Sequence, residues 1–454
     1  MEEIGNQPDL ISGLSDSILI HILSFLPSNS SGQTCILSRR WRHLWEYVPE
    51  LKLYDCADAQ LFSFLTHRKS SKLKTFHVSM RRYWLSTQYT IDQALCYCST
   101  QGVEELYLSF CYRIDLRLRA KTLSCWQTSL RVLQLDGCFV SCPNRINLPK
   151  VVVLRLSSVC MKCGAFDNII TGCPFVESFE ISCCEQVSLL TFDLPNLKRL
   201  VLYLCNNLEH IHVSVPNLKF FKHYGPLQSL KTFVMRVKNL KEAEYTLCVY
   251  YLYHDDGHVQ GSQQLFQAAA QAEHLEVECS RAQDTFEMYR IFNLNLTYKN
   301  VKCLTLKVVT LELLPVVPAI IGLLPGLKNL ELSLYVSPPS TPEFRKDHYL
   351  TSSMPEENEL CMQLKDTKSR IDFLRYSLRR IDIQHFEARN TQIEFIKLLL
   401  QNAPVLDVIC FIDSYGGIAR LLKSRQIFTN CAANKDTKFL YQNKFYTHSN
   451  VHSW

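Results

Sequence analysis

The chain reads as an α/β protein. A small N-terminal helical module is followed by repeated strand units that stack into a solenoid with a curved parallel sheet, and a strand–helix–strand segment closes the far end. Three observations predict this. One apolar phrase recurs along the middle of the chain, the first residues carry helical spacing instead, and cysteine recurs at one place within the repeat.

The helical module runs from Asp9 to Val48. Asp16 precedes Ile18, Leu19, Ile22, Leu23, Phe25 and Leu26, and Pro27 stops the run. Intervals of three and four with an acidic start and a proline stop predict an amphipathic helix. A polar link, Ser28 to Gly32, follows. Ile36, Leu37, Trp41, Leu44, Trp45 and Val48 then predict a second helix, with Arg39, Arg40, Arg42 and His43 between them. Two short helices this rich in Leu, Ile and Trp carry more apolar surface than the module can bury alone, so the rest of the chain or a partner must cover the excess. The arginine run is short and has no aromatic stacking platform, so it reads as solvated helix charge.

The blocks LISGLSDSILIHILSFLP and CILSRRWRHLWEYVPEL together resemble the F-box, in the version found in plant F-box proteins with leucine-rich repeats. That resemblance implies docking on a Skp-type adaptor, which links to a cullin scaffold and a RING ubiquitin ligase. It implies Leu14, Ile18, Ile22, Leu23, Leu26 and Pro27, then Ile36, Leu37, Trp41, Leu44 and Trp45, as the contact residues. The first helix and its proline are expected to meet the adaptor, and the tryptophans to brace the module against the following domain. Two departures stand out. Leu14-Ser15-Asp16 replaces the family's Leu-Pro-Asp, with Ser15 expected to cap the helix start. Ser31, Gly32 and Gln33 replace apolar and basic residues; a helical glycine costs about 1 kcal/mol, or about fivefold in affinity.

From Val48 onward, the phrase apolar, two residues, apolar, one residue, apolar keeps returning. It starts at Val48 (Leu51, Leu53), Leu73 (Phe76, Val78), Val103 (Leu106, Leu108), Leu130 (Leu133, Leu135), Val151 (Leu154, Leu156), Val176 (Phe179, Ile181) and Leu197 (Leu200, Leu202). A degraded copy lies near Leu218, and further copies start at Ala272, Val301, Leu327, Leu378 and Val405. The gaps of 54 residues after Leu218 and 51 after Leu327 are each close to two repeats, so a copy there is lost, disguised or replaced. Cys56, Cys111, Cys138, Cys184 and Cys205 stand three residues after the last apolar position. That is five of thirteen copies, against about 0.6 expected for 20 cysteines in 454 residues.

This pattern resembles the leucine-rich repeat, in which a short strand is followed by Asn or Cys at an inward ladder position. One unit cannot bury its apolar face alone, but stacked neighbours can. The outer segments are expected to be mixed helices and loops. An inward ladder position predicts reduced core thiols in preference to disulfides or zinc. Cys160-Met161-Lys162-Cys163 has zinc-type spacing, but no second pair follows at a plausible interval.

Pro338-Pro339-Ser340-Thr341-Pro342 opens a polar stretch that reads as a loop or linker. Leu378, Ile381 and Ile383 then alternate as a strand. Ile393, Phe395, Ile396, Leu398, Leu399 and Leu400 follow at helical spacing, and a second strand begins after Ala403-Pro404. Ile393-Glu394-Phe395 and Asn402-Ala403-Pro404-Val405-Leu406 resemble the FBD segment that often ends such plant proteins. The expected organisation is an F-box at 9–48, leucine-rich repeats at 49–336, a loop or linker at 337–370 and an FBD-like cap at 371–454.

Composition narrows the function. With 47% hydrophobic and 20% charged residues and a net charge of +6, the chain reads as an ordinary folded protein with no pull toward nucleic acid. Met1 to Leu10 lacks a basic and an apolar region and does not read as a signal peptide, which leaves the sequons at Asn29 and Asn295 as chance matches. Leu311 to Leu327 is too short and proline-broken to span a membrane. The expected compartment is the reducing cytosol or nucleus. Phosphate-loop, zincin and nucleophile-elbow motifs are absent, and His254, Asp255, Asp256 and His258 read as a polar loop. Neither catalysis nor a metal or cofactor is expected. The resemblance instead implies a substrate-recognition subunit of a Skp–cullin–F-box ligase, acting by proximity. Alternation places Glu105, Tyr107, Gln134, Asp136, Arg155, Glu180 and Tyr203 on the face that would bind an unknown target protein. The alternative is a repeat-based interaction scaffold that recruits no ligase.

Overall fold

The computed structural model describes residues 11, 13–70, 72–80, 87–110, 116–119, 123, 125–141, 146–161, 165–225, 230–237, 240–247, 259–279, 297–335, 357–366, 374–413, 418–443 and 451–453. The chain forms two compact units, Met1–Val187 with Leu194–Leu197, and Ser188–Asp193 with Lys198–Trp454.

The first unit begins with the helical module. Helix α1 (Asp16–Ser24) follows the expected register. Ser15 takes the cap position, but its hydroxyl bonds the Ser17 hydroxyl at 2.9 Å instead of a backbone amide, so the expected side-chain cap does not form. The polar link is itself a helix, α2 (Ser28–Gln33). Pro27 turns the chain, and Ser28 and Ser31 are buried, with Ser28 Oγ accepting the Lys52 amide at 2.8 Å. A serine-rich turn shows no apolar period, so pattern alone missed it. The second helix is instead two 3-10 segments, Thr34–Ile36 and Trp41–Tyr47, where Trp41 and Leu44 align at the three-residue period. Leu19, Leu23, Leu44 and Val48 form the module's core, with Leu14, Ile20 and Trp41 against it.

The repeats follow as β1 (Glu50–Tyr54), β2 (Thr75–Met80), β3 (Glu105–Phe110), β4 (Arg117–Arg119), β5 (Val132–Asp136), β6 (Phe139–Ser141), β7 (Val153–Ser157), β8 (Cys160–Met161) and β9 (Ser178–Ser182). Strands β1-β2-β3-β5-β7-β9 form a parallel sheet, and β4-β6-β8 a second one. The second unit holds β10 (Leu189–Phe192), β11 (Arg199–Tyr203), β12 (His210–Ser214), β13 (Phe220–Gly225), β14 (Thr232–Arg236), β15 (Glu242–Leu247), β16 (His274–Cys279), β17 (Cys303–Thr310), β18 (Asn329–Tyr335), β19 (Arg380–Gln384), β20 (Val408–Asp413), β21 (Lys438–Asn443) and β22 (Val451–Ser453). Here β11-β13-β15-β16-β17-β18-β19-β20-β21 run parallel, β22 adds antiparallel to β21, and β10-β12-β14 form a separate three-stranded sheet.

Every copy of the apolar phrase falls on a strand, and its inward residues are buried from Leu51 and Leu53 through Phe179 and Ile181 to Ile381 and Ile383. Only the copy expected at Val405 is shifted by one residue, since Leu406, Ile409 and Phe411 take the inward places and Val405 and Val408 are half-buried. The degraded copy is β13, where His223 occupies an inward place. The first long gap holds a disguised copy, β15, in which Leu240 and Ala243 are buried. Among the described residues the second holds no inserted strand, and β18 pairs directly with β19. Part of the expected linker is instead the helix Glu357–Asp366, with Leu360 and Leu364 buried. Pro338 to Pro342 lie outside the described residues. The two small sheets correct the expectation of outer helices and loops: Leu190, Phe192, Ile211 and Val213 alternate inward over segments too short to stand out in the sequence. Leu311 to Leu327 forms buried short turns and the helix Val317–Ile321, and among the described residues no helix is long and apolar enough to cross a membrane.

A backbone device repeats at the strand ends. Asp55, Gly137, Ser158, Cys183, Leu204 and His385 each follow a strand directly and have φ between 49° and 66°. The left-handed residue turns the chain, and the next side chain points inward. At four of these turns that side chain is the ladder cysteine: Cys56, Cys138, Cys184 and Cys205 are buried thiols. Cys184 Sγ donates to the Ser182 carbonyl at 3.4 Å and Cys205 Sγ to the Tyr203 carbonyl at 3.6 Å. Cys111 lies outside the described residues, as does Cys163.

Two expected results follow from these turns. Burial pushes the Cys56 thiol up to about 11 and raises the Cys138 thiol as well. Thiolate is the reactive form, so at pH 8 these two should alkylate at least about a hundredfold more slowly than exposed Cys96 until denaturant is added. Peptide-resolved alkylation reads this, and equal rates would refute the inward ladder. Gly137 is the second case. At φ 66° an added Cβ would stand 2.0 Å from the Phe110 carbonyl oxygen. Gly137→Ala should cost roughly 2 kcal/mol or more in chemical denaturation, and an unchanged midpoint would contradict the turn geometry.

Candidate adaptor-docking surface and target face

Of seventeen exposed large hydrophobic side chains among the described residues, seven lie between Ile11 and Leu37: Ile11, Ile18, Ile22, Phe25, Leu26, Ile36 and Leu37. Phe25 is 71%, Ile36 84% and Leu37 63% exposed. A folded chain this size shows scattered apolar side chains, but not half a helix of them. Of the eleven residues implied for the adaptor, Ile18, Ile22, Leu26, Pro27, Ile36 and Leu37 are exposed. Leu14, Trp41 and Trp45 are half-buried. Leu23 and Leu44 turn inward, because they occupy the sides of α1 and of the second 3-10 segment that close the module's core. Sequence reasoning missed Phe25, which sits edge-on to His21 at 4.9 Å; its signal was the spacing of Ile18, Ile22 and Phe25 along one helix face.

Polar contacts lock this module onto the first repeat. Lys52 Nζ donates to the Ser24 carbonyl at 2.9 Å, and Arg68 donates to the Val48 carbonyl at 2.8 Å. The amides of Lys69 and Ser70 both donate to the Glu46 carbonyl, at 3.0 and 3.2 Å. The Glu46 carboxylate is buried, with Lys69 Nζ at 2.6 Å on one oxygen and His43 Nδ1 at 2.6 Å on the other. Burial alone would raise this carboxyl, but the hydrogen bonds from Lys69 and His43 outweigh it and hold it below its ordinary value. The Trp45 ring meets Phe64 edge-on at 5.2 Å, on the same ring that faces Gly32 of α2. Trp45 thus braces the module on the first repeat, whereas Trp41 packs on the module's own core.

The sheet face of the first unit gathers six of the seven residues expected for the target. Backbone register sets Tyr107 beside Gln134, Gln134 beside Arg155, and Arg155 beside Glu180. Arg155 and Glu180 pair at 3.6 Å. Glu105 accepts from the hydroxyls of Thr75 and Tyr107, and Asp136 accepts from Ser109 at 2.9 Å. The same row continues to His77 and Lys52, which alternation alone would have found. The Tyr107 ring stacks on His77 at 5.2 Å, and Tyr54 meets His77 edge-on at 4.7 Å. Burial raises the Tyr107 hydroxyl; burial and then Lys52 lower the His77 imidazole. Tyr203 belongs to the second unit, where it stacks on Tyr224 at 4.4 Å, while Arg199 lies 3.7 Å above the Phe220 ring. The cluster from His254 to His258 lies outside the described residues.

Comparison with known proteins gives the module and the repeats a name. Residues 11–53 match the F-box domain, and residues 91–272 match the repeats described as FBD-associated F-box protein At5g56370, LRR repeats. The F-box/LRR-repeat protein 25 of Arabidopsis thaliana is 30% identical over 226 residues, which is 43% of this chain and 76% of that protein. The chain belongs to the plant F-box/FBD/LRR-repeat family. Within it, F-box/LRR-repeat protein At5g02930 of A. thaliana is 27% identical over 365 residues, 74% of each chain. F-box/FBD/LRR-repeat protein At2g04230 of A. thaliana is 26% identical over 269 residues, 52% of this chain and 58% of that protein. The F-box match ends at Leu53, inside β1, so the strand that carries Lys52 is matched together with the helices it holds.

Proposed function

We propose that this F-box/LRR chain is the non-catalytic substrate-recognition subunit of a Skp–cullin–F-box ubiquitin ligase. The exposed apolar set on α1 and the turn that follows α2 carries this reading. Those side chains gain by leaving water, and on a matched F-box the partner that covers them is a Skp-type adaptor. Residues 9–48 dock the adaptor, residues 49–336 bind the target through the strand face, and residues 371–454 close the repeat stack, with β22 laid antiparallel over the β21 edge. The contribution to catalysis is proximity: the target is held near ubiquitin-transfer chemistry done by other subunits.

The direct test is affinity purification of the tagged chain from plant extract under proteasome inhibition. A Skp-type adaptor and a cullin should co-purify, and added ubiquitin, activating and conjugating enzymes should build chains on a captured protein. Failure of the intact chain to bind any Skp-type adaptor would leave the scaffold reading in its place.

A further inference from the structure

The turn that carries Ile36 and Leu37 continues directly into three arginines with two different fates. Arg40 is a structural residue: its guanidinium bonds Asp16 Oδ1 and the Leu14 carbonyl, tying the turn to the start of α1. Arg39 and Arg42 are exposed and have no ion-pair or hydrogen-bond partner among the described residues. Among the described residues the module's acids are already committed, Asp16 to Arg40 and Glu46 to Lys69 and His43. The solvent-facing charge that the described residues place beside the apolar set is therefore positive.

We infer that Arg39 and Arg42 are a steering rim: the partner's apolar groove is bordered by carboxylates, and this pair speeds encounter with it. The inference rests on the proposed adaptor docking and adds the chemistry of the partner's edge. An apolar patch has no long-range pull, and its burial sets how slowly a complex parts. Exposed charges act over about a Debye length and mainly change the rate of encounter, in a way that salt erases. Arg40 takes no part, because its charge is already paired.

The test uses the full chain and a purified plant Skp-type adaptor, with association and dissociation measured at low and high salt. Arg39→Glu with Arg42→Glu should slow association about tenfold at low salt, leave dissociation unchanged, and converge on the wild type at high salt. Arg39→Lys with Arg42→Lys keeps the charge and should associate like the wild type. If the wild type binds and the reversal variant associates equally fast at every salt, the rim is overturned while adaptor docking stands. A loss confined to dissociation overturns it too, since that marks a contact. If the wild type binds no adaptor, both readings fall.

Discussion

Ile22→Asp with Leu37→Asp abolishes capture of a Skp-type adaptor and leaves the chain folded. Both residues are exposed, at 41% and 63%, and neither belongs to the core of Leu19, Leu23, Leu44 and Val48. Substitution therefore removes no interior contact in the free chain. In a complex, each aspartate would place a carboxylate where an apolar side chain was desolvated, without a partner for its charge. Central anchors of an interface are worth about 2 kcal/mol or more each, so the pair should weaken binding by at least about a thousandfold. Calorimetric titration measures the affinity, and a melting curve confirms the fold. Val234→Asp is the matching control: it is an exposed apolar residue on β14, and its binding should equal the wild type. If the double variant keeps wild-type affinity, the apolar set of the F-box is not the docking surface.

The second large effect concerns His223. It sits at an inward position of β13, 5% exposed, and its Nδ1 has no hydrogen-bond partner among the described residues. Burial disfavours the imidazolium and lowers its pKa from the ordinary 6.5 to about 4. Because the folded-state value is the lower one, the unfolded chain takes up the proton first as pH falls. The stability His223 permits is complete above about pH 6.5 and is lost as pH falls toward 4, by roughly 3 kcal/mol over the window. His223→Leu restores the apolar phrase at Leu218, Phe221 and position 223. It should flatten this part of the pH dependence and raise stability at neutral pH by roughly 1–2 kcal/mol, through removal of an unpaired buried nitrogen. Urea unfolding at pH 7.5 and pH 5 gives the comparison. Parallel curves for wild type and variant would show that His223 is not titrating in the core.

The inward residues made most of this fold readable. Leu51 with Leu53 and Ile381 with Ile383 differ in neighbours but share one spacing, because each strand must present the same two side chains to the stack. Where a strand kept the geometry and lost the residue type, the pattern failed. Leu240, just before β15, and Ala243 within it keep the inward places, but alanine fills less space and Tyr245 reads in the sequence as a surface residue. Helix α2 failed for the opposite reason: Ser28 and Ser31 are buried polar residues, and the Lys52 amide that bonds Ser28 is a partner no local pattern reveals. The left-handed turns were also invisible, since only Gly137 of the six is a glycine.

For the proposed docking surface, resemblance named the segment, and helical geometry sorts its side chains into exposed and buried. Leu23 and Leu44 are as apolar as Ile22 and Leu37, and only the packing of α1 on the 3-10 segments decides which point to solvent. The grip of Arg68 and Lys69 on Val48 and Glu46 joins residues about twenty positions apart, beyond the reach of any periodicity.

That grip makes the F-box and the first repeat one cooperative folding unit. Opening either would break the Lys52–Ser24, Arg68–Val48 and Lys69–Glu46 contacts together, so their amides should exchange with solvent as a group and a protease should find no hinge at residue 48. A chain beginning at residue 49 would lose more than the proposed docking surface: Phe64 would be stripped of Trp45, and the open end of the stack would lack the terminal cover that repeat arrays need. Loss of the handle would therefore also be loss of the lid.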